Sequence, residues 1–237
     1  MNWNLLLFVV FPYISIILAV VVTVYRTIYL PFSVSSLSSQ LLERKKLYWG
    51  VIPFHYGILI ILLGHLLALV FPQGLKIWNS VPVRLYLLEF SALALGLWML
   101  VGLGILVWRR FSNARIQTVT TKMDVVVFVL LLLSGITGVI TATVYRYGSA
   151  WFTAIFTPYL WSLLILQPKP ELIAPLPWVI SLHALNFFIL LAVLPFSRLV
   201  HIITYPFRYW RRPWQTVIWE RRRRKAAVED FPAYRER

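Results

Sequence analysis

Cysteine is absent from the 237 residues, and that absence closes several routes at once. No disulfide, thiolate zinc site, cysteine-ligated iron–sulfur cluster or C-x-x-C-H haem attachment can be built. Charge is also scarce. Only 13% of residues are charged and 60% are apolar, with a mean hydropathy of +0.76, whereas soluble domains carry about 25% and 45–50%. A globular enzyme with a watery surface is excluded on that ground. Acidic residues number 8 against 23 Lys and Arg, a formal net charge of +15. There is no G-x-G-x-x-G nucleotide loop and no internal repeat, and no low-complexity segment before an Arg-rich tail.

Five apolar stretches make up most of what is there: Leu5 to Tyr25, Ile52 to Phe71, Leu85 to Val107, Val125 to Val144 and Trp178 to Phe196. A spanning helix needs roughly 20 such residues, so the chain reads as an all-α, multi-pass protein of the cytoplasmic membrane. The first stretch is longer than a signal-peptide core and lacks a basic leader and an A-x-A site, so it is expected to be retained as a helix. Nineteen of the 23 cations fall in the two loops between spans one and two and spans three and four, or in the tail; four fall on the other side. The positive-inside rule then puts the N-terminus outside and the C-terminus in the cytoplasm. Residues 1–205 form the expected membrane domain and 206–237 a basic cytoplasmic tail. Because the excess charge tracks topology, Arg221 to Lys225 read as a face for anionic headgroups or an acidic partner, not for nucleic acid. Trp49, Trp78, Trp108, Trp151 and Trp178 fall near span ends, where interfacial aromatics belong.

Histidine is rare, and its placement is the main clue. His55 and His65 lie in the second span; His183 lies in the fifth and His201 just after it. Ionisable side chains inside spans are functional hypotheses by default. The other deep charge is Glu89, near the start of the third span. Antiparallel spans pair the histidines by depth, His65 with His183 toward the outside and His55 with His201 toward the inside. Facing imidazoles on two helices are what a haem with two axial histidines requires, and the arrangement offers this twice. Helical rise strains the match: ten residues on span two correspond to about 15 Å, but eighteen on a continuous fifth helix to about 27 Å. A bland alternative is that each imidazole simply bonds a neighbouring helix. A small metal ion fits less well, since the spans hold one carboxylate and no thiolate.

The residues around the histidines carry a resemblance. Ser38-Ser39-Gln40-Leu41-Leu42-Glu43-Arg44-Lys45, Phe54-His55-x-Gly57-Ile58-Leu59, Gly64-His65, and Pro195-Phe196-Ser197-Arg198-Leu199-Val200-His201-Ile202 followed by Tyr205-Pro206 together resemble the gamma subunit of membrane-bound respiratory nitrate reductase. The resemblance covers nearly the whole chain. It implies a di-haem b cytochrome, with His65 and His183 ligating the outer haem and His55 and His201 the inner one. It also implies quinol oxidation beside the outer haem, at Gly64, His65 and the position of a family lysine that Arg84 occupies here. A short gap in the loop would move that match to Tyr86. Arg differs from Lys in being a fixed cation with a planar donor fork. The implied partners are an iron–sulfur beta subunit and a molybdenum alpha subunit that reduces nitrate. Related quinol cytochromes of sulfur-oxyanion reductases and nitrite oxidoreductases share the histidine framework.

Two other classes compete. A transporter using the histidines as a proton or metal path would show paired Gly or Pro breaks in two symmetric halves, and none is visible. A passive anchor for a cytoplasmic enzyme would be colourless. With no thiolate for an iron–sulfur cluster and no nucleotide loop, electrons entering the chain must leave through another subunit.

Overall fold

The computed structural model describes residues 3–30, 43 and 45–203. The basic tail, Tyr205-Pro206, Ser38 to Leu42 and Arg44 lie outside them. Among the described residues there is no strand, and five helices are long and apolar enough to cross a membrane. They are α1 (Trp3–Tyr29), α2 (Lys45–Val70), α4 (Pro82–Ser112), α5 (Lys122–Val144) and α7 (Trp178–Val193). Shorter helices lie between them, among them α3 (Pro72–Asn79) and α6 (Thr157–Leu164).

Helices α2 and α4 start several residues before their apolar runs, at Lys45 and Pro82. Polar and aromatic residues at a span end keep the helical hydrogen bonds that the bilayer demands, so the helix outlasts the hydrocarbon. Close packing is densest between α2 and α4. A Cβ added at Gly102 would sit 2.6 Å from the Phe54 backbone nitrogen and 2.8 Å from the Gly50 oxygen. Glycine is thus what lets these two backbones touch, the small-residue contact typical of membrane helices. From there α4 packs on α5, α5 on α7, and α7 on α1. The two histidine-bearing helices, α2 and α7, are therefore separated along this packed series by α4 and α5.

The segment between α5 and α7 is helical rather than a simple loop. It comprises a turn at Gly148–Trp151, a π-helical stretch at Phe152–Phe156, and α6. Backbone chemistry explains its seat. Pro12 has no N–H for the Phe8 carbonyl four residues back, and the Tyr159 hydroxyl donates to that carbonyl at 2.8 Å. The last carbonyls of α2 lack helical donors. Thr157 Oγ1 and Trp161 Nε1 supply them at Ala68 (3.1 Å) and Leu69 (3.0 Å). This segment thereby ties α1 to the end of α2, around a core of Phe8, Phe156, Tyr159, Leu163 and Phe188.

The opposite end of the bundle is basic. Arg109 is buried and donates to the Glu43 carboxylate and backbone carbonyl, both at 2.6 Å. The same carboxylate accepts the Lys46 and Leu47 N–H groups at 2.7 and 3.2 Å, capping α2. Burial pushes the Glu43 carboxyl up, but the Arg109 hydrogen bond, the capping N–H groups and the Arg109 charge outweigh it. The net result lies below the usual carboxylate range. A carboxyl lowered on folding stabilises fully above its ordinary value, and that stabilisation is lost as pH falls through the folded value. Glu43→Gln is expected to cost about 1–3 kcal/mol near neutral pH. The gap to the parent chain should stay constant down to about pH 5 and close below it. Thermal unfolding in detergent across that range checks this; a gap independent of pH contradicts it.

Candidate functional site

His55 projects from α2, two residues after Pro53 and one turn above Val51, whose carbonyl its Nδ1 meets at 3.0 Å. His201 is not on α7. That helix ends at Val193, followed by a 3-10 turn through Pro195, an extended Ser197 (φ −110°, ψ 178°) and a second 3-10 turn, Arg198–Val200. The continuous helix expected from His183 to His201, with its rise of about 27 Å, is therefore wrong. Pro195 carries no N–H with which to continue the helical hydrogen bonds, and the Ser197 hydroxyl accepts the Leu199 N–H at 3.2 Å to start the new turn. The break brings the His201 ring to 6.5 Å from the His55 ring, centre to centre, with the planes 44° apart. His201 Nδ1 meets the Arg198 carbonyl at 2.6 Å.

Further along α2, His65 Nδ1 meets the Ile61 carbonyl at 2.8 Å, and its ring stands edge-on to Phe152 at 5.2 Å. His183 projects from α7. Its Nδ1 meets the Thr137 hydroxyl of α5 at 2.9 Å. A carbonyl only accepts, so at His55, His65 and His201 the proton sits on Nδ1 and a neutral imidazole keeps its lone pair on Nε2. Among the described residues no hydrogen bond uses the Nε2 of any of these four rings. That is the arrangement of an imidazole oriented for a metal by a second partner.

The two depths are about 15 Å apart along α2, and among the described residues no three His, Asp or Glu side chains converge. The site is thus built from pairs rather than a cluster. Imidazole nitrogens bind first-row metals at about 2 Å, which sets the centres of two opposed rings about 6 Å apart. The His55–His201 spacing of 6.5 Å fits that separation.

At the basic end, Asp124 links the His55–His201 pair to the helix ends. It completes a capping box with Thr121 at the start of α5. It also pairs with Arg198 at 3.2 Å and reaches Arg110 at 3.9 Å. Arg198 is the residue whose carbonyl holds His201. Arg110 Nη1 is buried without a hydrogen-bond partner, a donor aimed at no protein acceptor. Such groups call for an explanation by a ligand or water.

At the other end, a Cβ built at Gly64 meets no protein atom within 4 Å. Arg84 lies in the first turn of α4 with its guanidinium 5.5 Å above the Trp78 ring, and its carbonyl accepts the Trp78 indole N–H. Its recorded partner is Trp78, not His65. Nearby, Tyr86 and Tyr147 hydroxyls lie 3.4 Å apart. Glu89 accepts the Ser149 N–H at 2.9 Å and its hydroxyl at 2.5 Å. Thr137, Asp124 and Phe152 escaped the reading of the sequence. Only Asp124 left a signal, as the last residue of Thr121-x-x-Asp124 before an apolar run.

The chain is thus a multi-pass membrane protein, helical throughout the described residues, with His55 and His201 brought together at one end of its bundle. The nitrate reductase gamma subunit family matches residues 4–220, so the chain belongs to that family. It is 28% identical to the nitrate reductase gamma chain of Bacillus subtilis (strain 168) over 207 residues, 86% of this chain and 92% of that one. It is 28% identical over 225 residues to the respiratory nitrate reductase 2 gamma chain of Escherichia coli (strain K12), 90% and 96% of the two chains. Similarity to the nitrate reductase-like protein NarX of Mycobacterium tuberculosis (strain ATCC 25618 / H37Rv) is 29% over 222 residues, 88% of this chain but 33% of that longer one. Gamma chains are in general cytochrome b subunits of a redox complex, and membership implies catalytic partner subunits.

Asp124→Ala removes a helix cap and the carboxylate between two arginines. It is expected to cost about 1–3 kcal/mol, with Asp124→Asn retaining part of the cap. Unfolding midpoints in detergent measure this, and an Asp124→Ala chain as stable as the parent would show that the network holds nothing.

Proposed function

We propose that this chain is the quinol-oxidising di-haem b subunit of a respiratory nitrate reductase. Quinol is oxidised near the outer face, and electrons leave inward to an iron–sulfur beta subunit and a molybdenum alpha subunit in the cytoplasm. The observation that carries the proposal is the His55–His201 pair. Its rings lie 6.5 Å apart with each Nδ1 bonded to a carbonyl, so both Nε2 lone pairs are left for iron. His65 and His183, with Nδ1 likewise engaged, are the ligands of the outer site. A b haem at each pair supplies one-electron transfer without an obligatory proton.

The chain's own residues account for the rest. The nineteen cations on the loops and tail orient the basic end to the cytoplasm. The N-terminus then faces out, in the cytoplasmic membrane. There the cations offer a docking surface for the partner subunits and for anionic lipid. The partnerless Arg110 Nη1 beside Asp124 and Arg198 suits a haem propionate. At the outer end, Gly64 leaves space beside His65, and Arg84 presents a planar cation that can hold a quinol oxygen. Protons released there stay outside while electrons move inward, which makes the step electrogenic.

Two variants test the reading in the assembled complex. His65→Ala is expected to leave one haem of two and to abolish quinol-linked nitrate reduction. Arg84→Gln is expected to keep both haems and weaken quinol oxidation about tenfold or more, as loss of a charge-assisted hydrogen bond does. Pyridine haemochrome content and quinol kinetics read both. A His65→Ala complex with two haems and full quinol activity overturns the assignment.

A further inference from the structure

Three of the four histidines are held by carbonyls: Val51 for His55, Ile61 for His65 and Arg198 for His201. Each acceptor is three or four residues back along the same segment. His183 differs. Its Nδ1 meets a side chain, the Thr137 hydroxyl, on α5, a helix that carries no histidine, and the Ser134 carbonyl of that helix is a further hydrogen-bond partner of the ring. A hydroxyl can donate or accept, so by itself it would not fix the tautomer. Here its proton is already engaged, because Thr137 Oγ1 donates to the Leu133 carbonyl at 2.6 Å, with Ser134 as a second acceptor at 3.2 Å. Only the acceptor side of the hydroxyl remains for the ring.

The site around this contact is tight. Thr137 is 3% exposed, so water does not compete for it. The next residue, Gly138, is where a Cβ would come within 3.2 Å of His183 Cε1. Thr137 and Gly138 together form a seat for the imidazole, a hydroxyl at Nδ1 and a missing side chain against Cε1.

We propose that Thr137 is a positioning residue for the outer redox site. Its committed hydroxyl accepts the Nδ1–H of His183, fixes Nε2 as the iron-facing nitrogen, and sets the electron-donating strength of that one ligand from a helix outside the histidine pair. This rests on the di-haem reading above. A bonded Nδ1–H makes the imidazole a more basic ligand, which favours ferric over ferrous iron, and such hydrogen bonds tune haem potentials. Removing the acceptor therefore raises the potential of one site and leaves the other where it was. The polarised hydroxyl, itself a donor to Leu133, is a better acceptor than a free one.

The test is a redox titration of the purified holo-complex, followed optically and by low-spin ferric electron paramagnetic resonance. Thr137→Val keeps the shape and removes the acceptor; Thr137→Ser restores it. The expected result for Thr137→Val is an upward move of one midpoint potential and a changed resonance for that haem alone, with Thr137→Ser matching the parent. Gly138→Ala, which crowds the same ring, is expected to disturb the same haem, and it keeps the proposal testable if Thr137→Val does not assemble. Potentials unchanged in Thr137→Val, a fall, equal movement of both, or a Thr137→Ser complex as altered as Thr137→Val overturns the role of Thr137. A parent complex with fewer than two haems overturns instead the function on which it rests.

Discussion

The hydrogen bond from a histidine Nδ1–H to an oxygen of the protein is the interaction on which the site depends, and it recurs at His55, His65, His183 and His201. An imidazole inside a bilayer cannot leave its N–H to water. Satisfying that donor locally removes the penalty and at the same time decides which nitrogen carries the lone pair. One bond thus solves a solvation problem and prepares a ligand. In three cases the acceptor is a backbone carbonyl near in sequence, so the geometry follows from helical or turn structure itself.

Placing those imidazoles opposite one another is a matter of packing. The backbones of α2 and α4 come into contact through Gly102 and Gly50, while α7 packs on α5 and α1. The segment at Phe152–Leu164 ties the far end of α2 to α1. At the basic end, the break at Pro195–Ser197 redirects the chain so that His201 meets His55. Asp124 holds that redirected segment through Arg198 while capping α5. Buried ion pairs of this kind are weak sources of stability but strongly fix geometry when intact.

The five spans and their order were legible in the sequence, because the bilayer imposes a length and an apolar composition that few other constraints can blur. Span ends were less so. Lys45 and Trp49 lie before the apolar stretch that the sequence marks from Ile52, yet they are helical, since polarity at a membrane boundary does not end a hydrogen-bonded helix. The course from His183 to His201 was misread as one helix: Pro195 was visible, but the extended Ser197 arises from the local turn. Helices Gly148–Leu164 were missed because their anchors, the Phe8, Ala68 and Leu69 carbonyls, lie about 80 to 150 residues away in sequence and are set by tertiary contact. Arg84 kept its expected place at the start of α4, but its stacking on Trp78 depends on the fold of α3, which no local pattern announced.

The most direct measurement is an iron-edge anomalous difference map from crystals of the intact complex. Two iron positions are expected within this chain, one between His55 and His201 and one between His65 and His183, each approached by Nε2. A single iron, iron bound by other side chains, or no iron between α2 and the segment ending at His201 contradicts the account.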